Sequence, residues 1–291
     1  MPKPVLPRKY KTIPVKLTEP EFERFILPHL SLGKRGPKLK LTLYKIFGYL
    51  WQVLYTGMQW CSLLIEKNLE GKPEIHYSSL HRQYARWAKD GSLKKVFESS
   101  VEHLANNHLL DISTLHGDGS NTAAKKGGDN IGYSGHKHHK GEKVVAIVDR
   151  HANILAPFIT APANRHETLL FPTALTALEC TLRKCGLSCK NSIMSLDSAY
   201  DSIQNRKLIF NHHMIPNIKE NPRNRKKIKP GPKRIFSEAI YQERFETVER
   251  AFAWEDKFRR LLLRFERYSI NHLGMKLIAY TMINLRHFCV T

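Results

Sequence analysis

The stretch that most restricts the fold runs from Leu109 to Asn121, where a chain that has been helical changes its period. Up to residue 106 apolar side chains recur every three or four positions, the spacing of a helix face. From Leu109 onward Leu110 and Ile112 alternate with polar residues, the period of a strand with one buried face. That strand is expected to end on Asp118, which sits between Gly117 and Gly119. A second apolar run, Ile193-Met-Ser-Leu, stops on Asp197. Carboxylates at strand ends are where open α/β sheets place their chemistry. Taken alone, each aspartate also has a plainer reading: Asp118 as a turn residue, Asp197 as a helix N-cap.

Charge narrows the choice of partner. The 291 residues include 47 Lys and Arg against 26 Asp and Glu, a formal net charge of +21. So positive a surface repels itself unless a polyanion neutralises it, which makes DNA or RNA the expected partner. A membrane is not expected: no run of about 18 apolar residues is present, and no basic amphipathic anchor is evident. The N-terminus, Met-Pro-Lys-Pro-Val-Leu, has no apolar signal region. The five cysteines are expected to be reduced thiols of a cytoplasmic protein.

Residues 1–107 read as an all-helical N-terminal domain. After an extended Pro- and Lys-rich arm, Thr18 and Glu21 form a capping box. Gly33-Lys34-Arg35-Gly36-Pro37-Lys38 is either a phosphate-contacting loop or a solvated linker. A strong helix spans about 41–56 and stops at Gly57. A helix over about 78–89 carries Leu80, Tyr84 and Trp87 on one face, with Arg82 and Arg86 elsewhere. It is either the recognition helix of a helix-turn-helix-like module or an ordinary amphipathic helix. A last helix follows over about 93–106.

Residues 108–291 read as a mixed α/β layer. Strands are expected at 144–148, 154–160, 193–196 and 214–218, with a Gly- and Lys-rich connection over 119–143. Helices are expected at about 169–184, 202–212, 237–267 and 268–287. The order implies an antiparallel meander feeding a parallel part. Basic segments suited to phosphate lie at Lys137 and Lys140, and in the 220–235 loop with Arg223, Arg225, Lys226 and Lys227. Trp254, Phe258, Leu261 and Leu262 read as core, and Arg259, Arg260, Arg264 and Arg267 as a phosphate-tracking or solvated face.

Phosphodiester chemistry needs an activated water or hydroxyl and a stabilised leaving oxygen. Two Mg²⁺ ions about 3.5–4 Å apart, clamped by a few carboxylates, provide both. Asp118 and Asp197 suit such a clamp, with Glu249 or its helix neighbour Glu246 as the third group. At this point four segments resemble a family: Asp118-Gly-Ser; Gly141-Glu-Lys-Val-Val-Ala-Ile-Val-Asp; Asp197-Ser-Ala-Tyr-Asp-Ser; and Thr247-Val-Glu-Arg-Ala-Phe-Ala-Trp, followed by Phe258-Arg-Arg-Leu. They look like the bacterial insertion-sequence transposases of the four/five type, which have an RNase H-like DDE core. Leu54-Tyr-Thr-Gly-Met-Gln-Trp is similar to that group's DNA-binding region.

The resemblance implies an RNase H-like mixed sheet with flanking helices. It implies Asp118, Asp197 and Glu249 as the catalytic and metal-binding triad for two Mg²⁺ (or Mn²⁺) ions. The implied reaction is hydrolysis at transposon ends, followed by attack of the 3′-hydroxyl on target DNA. The implied partners are terminal inverted repeats, target DNA and further copies of the chain, as a homodimer or higher assembly. The resemblance also implies a bacterial, nucleoid-associated location. Arg244 and Arg250 are expected to touch DNA. Tyr241 and Arg244 resemble the family's Tyr and Arg, one residue further upstream of the glutamate than usual. Asp256 stands where a basic residue is expected, and Lys257 comes next. Two alternatives stay open: a DNA-binding relic or repressor without chemistry, and a nuclease that cuts without joining.

Overall fold

In the computed structural model, which describes residues 10–33, 41–156, 159–221 and 234–289, the early helices begin and end where their caps dictate. α1 (Glu19–Phe25) starts on Thr18, whose backbone N–H donates to the Glu21 carboxylate at 2.8 Å. α2 (Leu43–Thr56) starts on Thr42 and stops at Gly57, whose φ of +75° suits glycine. α3 (Tyr77–Lys89) and α4 (Ser92–Asn106) are separated by Asp90 and by Gly91 at φ +83°. α3 buries Leu80, Tyr84 and Trp87, the stripe predicted for it.

The change of period does open a sheet. The strands are β1 (Thr114–Ala123), β2 (Gly132–Ser134), β3 (His139–Asp149), β4 (Ile159–Pro162), β5 (Ile193–Leu196) and β6 (Ile215–Ile218). They form one six-stranded mixed sheet in the order β2–β3–β1–β5–β6, with β4 also on β3. β3 runs antiparallel to β1, and β5 and β6 run parallel to it.

Three expectations need correction. First, Asp118 lies within β1 and not at its tip. β3 pairs with β1 from Leu115↔Asp149 to Ala123↔Gly141, so backbone groups beyond Gly119 find partners and the strand continues. Leu110 and Ile112 precede the strand and are only half-buried. Second, the 119–143 connection holds the end of β1, all of β2 and the start of β3. Third, Ile154 makes only a bridge to Val148. It closes a loop stapled by Asp149, whose carboxylate accepts N–H bonds from Asp111, His151 and Asn153.

Helices cover both faces: α5 (Phe171–Lys184), α6 (Ile203–Asn211), α7 (Glu238–Glu255) and α8 (Ser269–Leu285). Successive strand residues face opposite sides. Asp118 meets α7, whereas a Cβ on the next residue, Gly119, would stand 2.5 Å from Glu167 in the turn leading to α5. α7 and α5 therefore lie on opposite faces. α8 sits between the sheet and the early helices: Asn284 donates to Ser100 Oγ at 3.1 Å and to the Ile154 carbonyl at 2.9 Å.

The helix predicted over 237–267 ends at Glu255. The buried Glu255 carboxylate binds Lys276 and Tyr280 of α8, and the chain then wraps inward. Arg260 pairs with Glu266 at 2.7 Å and Arg264 with Glu142 at 3.1 Å, all four side chains being buried. Arg260 and Arg264 are thus structural ions, unavailable to phosphate, while Arg259 and Arg267 are exposed. Leu262 is exposed as well, unlike Trp254, Phe258 and Leu261. Among the described residues no helix is long and apolar enough to cross a membrane.

Candidate active site

The parallel register of β1 and β5 sets Gly117 opposite Leu196. The next residue on each, Asp118 and Asp197, therefore stand side by side on chains about 4.8 Å apart. Asp197 follows β5 in an extended conformation and accepts the Ser198 N–H at 2.6 Å, capping the turn Ser198–Tyr200. The capping reading of Asp197 thus holds alongside its place in the site.

α7 contributes the residues that join the aspartates. Tyr241 and Arg244, three apart, share a helix face. Arg244 Nη1 donates to Asp118 Oδ2 at 2.8 Å, and Nη2 lies 3.9 Å from Asp197 Oδ1. The Tyr241 hydroxyl donates to Asp197 Oδ1 at 3.1 Å. Asp118 Oδ1 accepts the Gly119 N–H at 2.7 Å. Burial pushes the Asp118 carboxyl above its ordinary value, against the lowering effect of Arg244. Asp197 is more open, its side chain 38% exposed.

Two polar layers support this pair. On the α7 side His116 and Ser195 are cross-strand neighbours, two residues inward from the aspartates and fully buried. Neither His116 ring nitrogen nor Ser195 Oγ has a hydrogen-bond partner among the described residues, and His116 Nε2 lies 3.8 Å from Glu243 Oε1. Arg150 grips Glu243 with two bonds of 2.8 and 2.9 Å. Burial pushes Glu243 up, but the facing His116 and Arg150 outweigh it and hold the carboxyl well below its usual range. On the α5 side Glu167 pairs with Lys143 at 3.0 Å, beneath Gly119. Burial, then the carboxylates of Glu167 and Asp118, push the Tyr200 phenol well up.

Asp118 and Asp197 fit a divalent cation such as Mg²⁺. They are hard oxygen donors on adjacent strands, and Asp197 Oδ2 has no protein partner among the described residues. Glu249 is not brought to them. It is exposed on α7, five residues beyond Arg244 and so about 140° around the helix axis from it. Glu246 is exposed too, and buried Val248 follows Arg244 on the sheet-facing side. Among the described residues no three His, Cys, Asp or Glu side chains are grouped to hold a metal ion.

The other predicted residues are spread over the surface. Arg82, Lys137, Lys140 and Arg250 are exposed, and Arg86 is half-buried against Gln83. Arg250 stacks on Tyr10 at 4.3 Å. Lys34, Arg35, Lys38, Arg223, Arg225, Lys226 and Lys227 lie outside the described residues. The sequence reading missed His116, Glu243, Glu167 and Lys143. His116 alone carried a signal, since it sits two residues before Asp118 and so on the same strand face.

Compared with family models, residues 108–285 match the transposase DDE domain. No curated protein matches the chain, and no solved structure matches it.

Proposed function

The chain belongs to the transposase DDE-domain family, the insertion-sequence transposases with a DDE core, and from that premise we propose that it cuts transposon ends by metal-dependent hydrolysis and joins the freed 3′-hydroxyl to target DNA. The observation that carries this reading is the pairing of Asp118 with Asp197 on neighbouring parallel strands under Arg244. In the proposal Asp118 and Asp197 hold two Mg²⁺ (or Mn²⁺) ions, and Glu249, exposed on α7 and turned from the pair in this structure, would join as the third carboxylate only after a rearrangement of α7. Bound there, the ions would supply activation of the attacking oxygen and neutralise charge on the leaving one. Tyr241 orients Asp197 by its hydrogen bond. The sheet order, with β3 antiparallel to all three of its neighbours and β1, β5 and β6 parallel to one another, supports an RNase H-like core over 108–291.

The helices up to residue 107 are proposed to read terminal inverted repeats, with α3 as the recognition helix of a helix-turn-helix-like unit. Arg82 and Arg86 on α3, Lys137 just before β3 and Lys140 at its start, and Arg250 on α7 would contact phosphates. So would Lys34, Arg35, Lys38, Arg223, Arg225, Lys226 and Lys227 in the two basic loops. Two ends must be held together for joining, so a dimer or higher assembly forms on DNA.

The test is a strand-transfer assay on end-containing DNA with Mg²⁺. Asp118→Ala, Asp197→Ala and Glu249→Ala are each expected to abolish cleavage and joining, and Glu246→Ala to spare both. Retained cleavage in the Glu249 variant would remove that residue from the triad. The exposed position of Glu249 favours a second reading, a DNA-binding relic or repressor. It predicts DNA binding with no metal-dependent cutting by the unaltered chain. Cutting without joined product would mark a nuclease.

A further inference from the structure

We propose that Arg244 is an exchangeable counter-ion: it holds the Asp118–Asp197 pair until a divalent cation takes those carboxylates and releases it. The inference rests on the metal-site reading above and adds a role that the triad does not contain.

Two carboxylates on adjacent strands repel each other and are costly to bury without a cation. Among the described residues Arg244 is the cation paired with both. Lys143 is committed to Glu167 at 3.0 Å and Arg150 to Glu243 at 2.8 Å, while Lys219 lies over the Tyr241 ring at 5.2 Å and 3.8 Å from Glu238. Both Asp118 oxygens already accept a donor, Oδ2 from Arg244 and Oδ1 from the Gly119 N–H, and a cation bound through Oδ2 would displace Arg244. Both cannot hold that oxygen in the same way, so metal binding and the Arg244 contact compete.

Arg244 is also held differently from a structural arginine. Arg264, fully buried, donates to Glu142, to Asp129 and to the carbonyls of Glu266 and Arg267. Arg244 reaches Asp197 only at 3.9 Å, beyond hydrogen-bond length, and its Nε has no partner. Its guanidinium carbon lies over the Phe245 ring at 4.5 Å and the Tyr241 ring at 5.5 Å from the centroids. Ring stacking survives a small rotation of a planar guanidinium, whereas a fork of hydrogen bonds does not. Arg244 itself is buried, 2% exposed, so its release requires the guanidinium to turn past Phe245, which is 39% exposed.

Mn²⁺ binding to the DNA-free full chain tests the exchange by a readout independent of catalysis. Titrations followed by electron paramagnetic resonance compare the unaltered protein with Arg244→Gln and Arg244→Lys. Arg244→Gln is expected to bind Mn²⁺ about tenfold more tightly, and Arg244→Lys, which keeps the charge, within about threefold of the unaltered protein. Equal or weaker binding by a folded Arg244→Gln variant overturns the proposal. A second measurement uses the unaltered chain: the Arg244 side-chain Nε resonance, identified by its loss in Arg244→Lys, is expected to shift as Mg²⁺ is added. A resonance that stays fixed while Mg²⁺ binds also overturns it. Asp118→Asn and Asp197→Asn separate the two levels. If neither weakens Mn²⁺ binding, the metal-site reading fails. If both weaken it while Arg244→Gln changes nothing, only the exchange fails.

Discussion

Asp118 and Glu243 sit a few residues apart in space, and burial acts on both, yet their carboxyls move in opposite directions. Asp118 is raised because burial outweighs Arg244, and Glu243 is depressed because His116 and Arg150 outweigh burial. Only the ionised form of Asp118 binds a cation, so protons compete with metal to a higher pH than at an exposed aspartate. Mn²⁺ affinity is therefore expected to climb with pH through a midpoint above the ordinary Asp value of 3.8, and Asp118→Asn to remove that climb. For Glu243 the sign is reversed. A folded-state value below the ordinary 4.5 stabilises the protein above that pH, and the stabilisation is lost as the pH falls beneath it. Thermal melts across the acid range are expected to show a shallower decline for Glu243→Gln than for the unaltered chain.

At the scale of elements, α7 owes its placement to its two ends. Tyr241 and Arg244 tie one end to the aspartates, and Glu255 ties the other to Lys276 and Tyr280 of α8. Breaking a buried ion pair leaves an uncompensated charge, so Glu255→Ala is expected to cost about 3–5 kcal/mol in urea unfolding. Replacing both partners, Glu255→Leu with Lys276→Met, is expected to recover most of that loss. The same elements mark what the sequence reveals. Thr18 and Glu21, Gly57, and the apolar run before Asp197 act through local geometry, and each stands where its pattern places it. The continuation of β1 past Asp118 depends on β3, whose partners run from Val145 opposite Gly119 to Gly141 opposite Ala123. The end of α7 at Glu255 depends on Lys276 in α8, and the burial of Arg264 on Glu142 in β3. Those partners carry no periodic signal, so local pattern alone stops the strand at Asp118 and carries the helix past Glu255. The aspartate pair was legible because each member follows its own apolar run. Its link through Arg244 needed the packing of α7 across β1 and β5.

At the scale of the molecule, α8 makes one body of two stretches that differ in sequence character. Its Asn284 bonds to Ser100 of α4 and to Ile154 beside the sheet, and the Asn271 carbonyl accepts the Tyr84 hydroxyl of α3. The early helices and the sheet are therefore expected to unfold in a single transition, with circular dichroism and tryptophan fluorescence giving one midpoint. The net charge of +21 acts over the same scale. DNA affinity measured by fluorescence anisotropy is expected to fall about a thousandfold or more between roughly 50 and 200 mM salt. The central claim, however, concerns two side chains. The most direct test is cleavage of end-containing DNA in Mg²⁺ by the unaltered chain and by Asp197→Asn, under conditions where both bind the DNA equally. The account predicts cut strands with 3′-hydroxyl ends from the first and none from the second. Equal cleavage by both would contradict it.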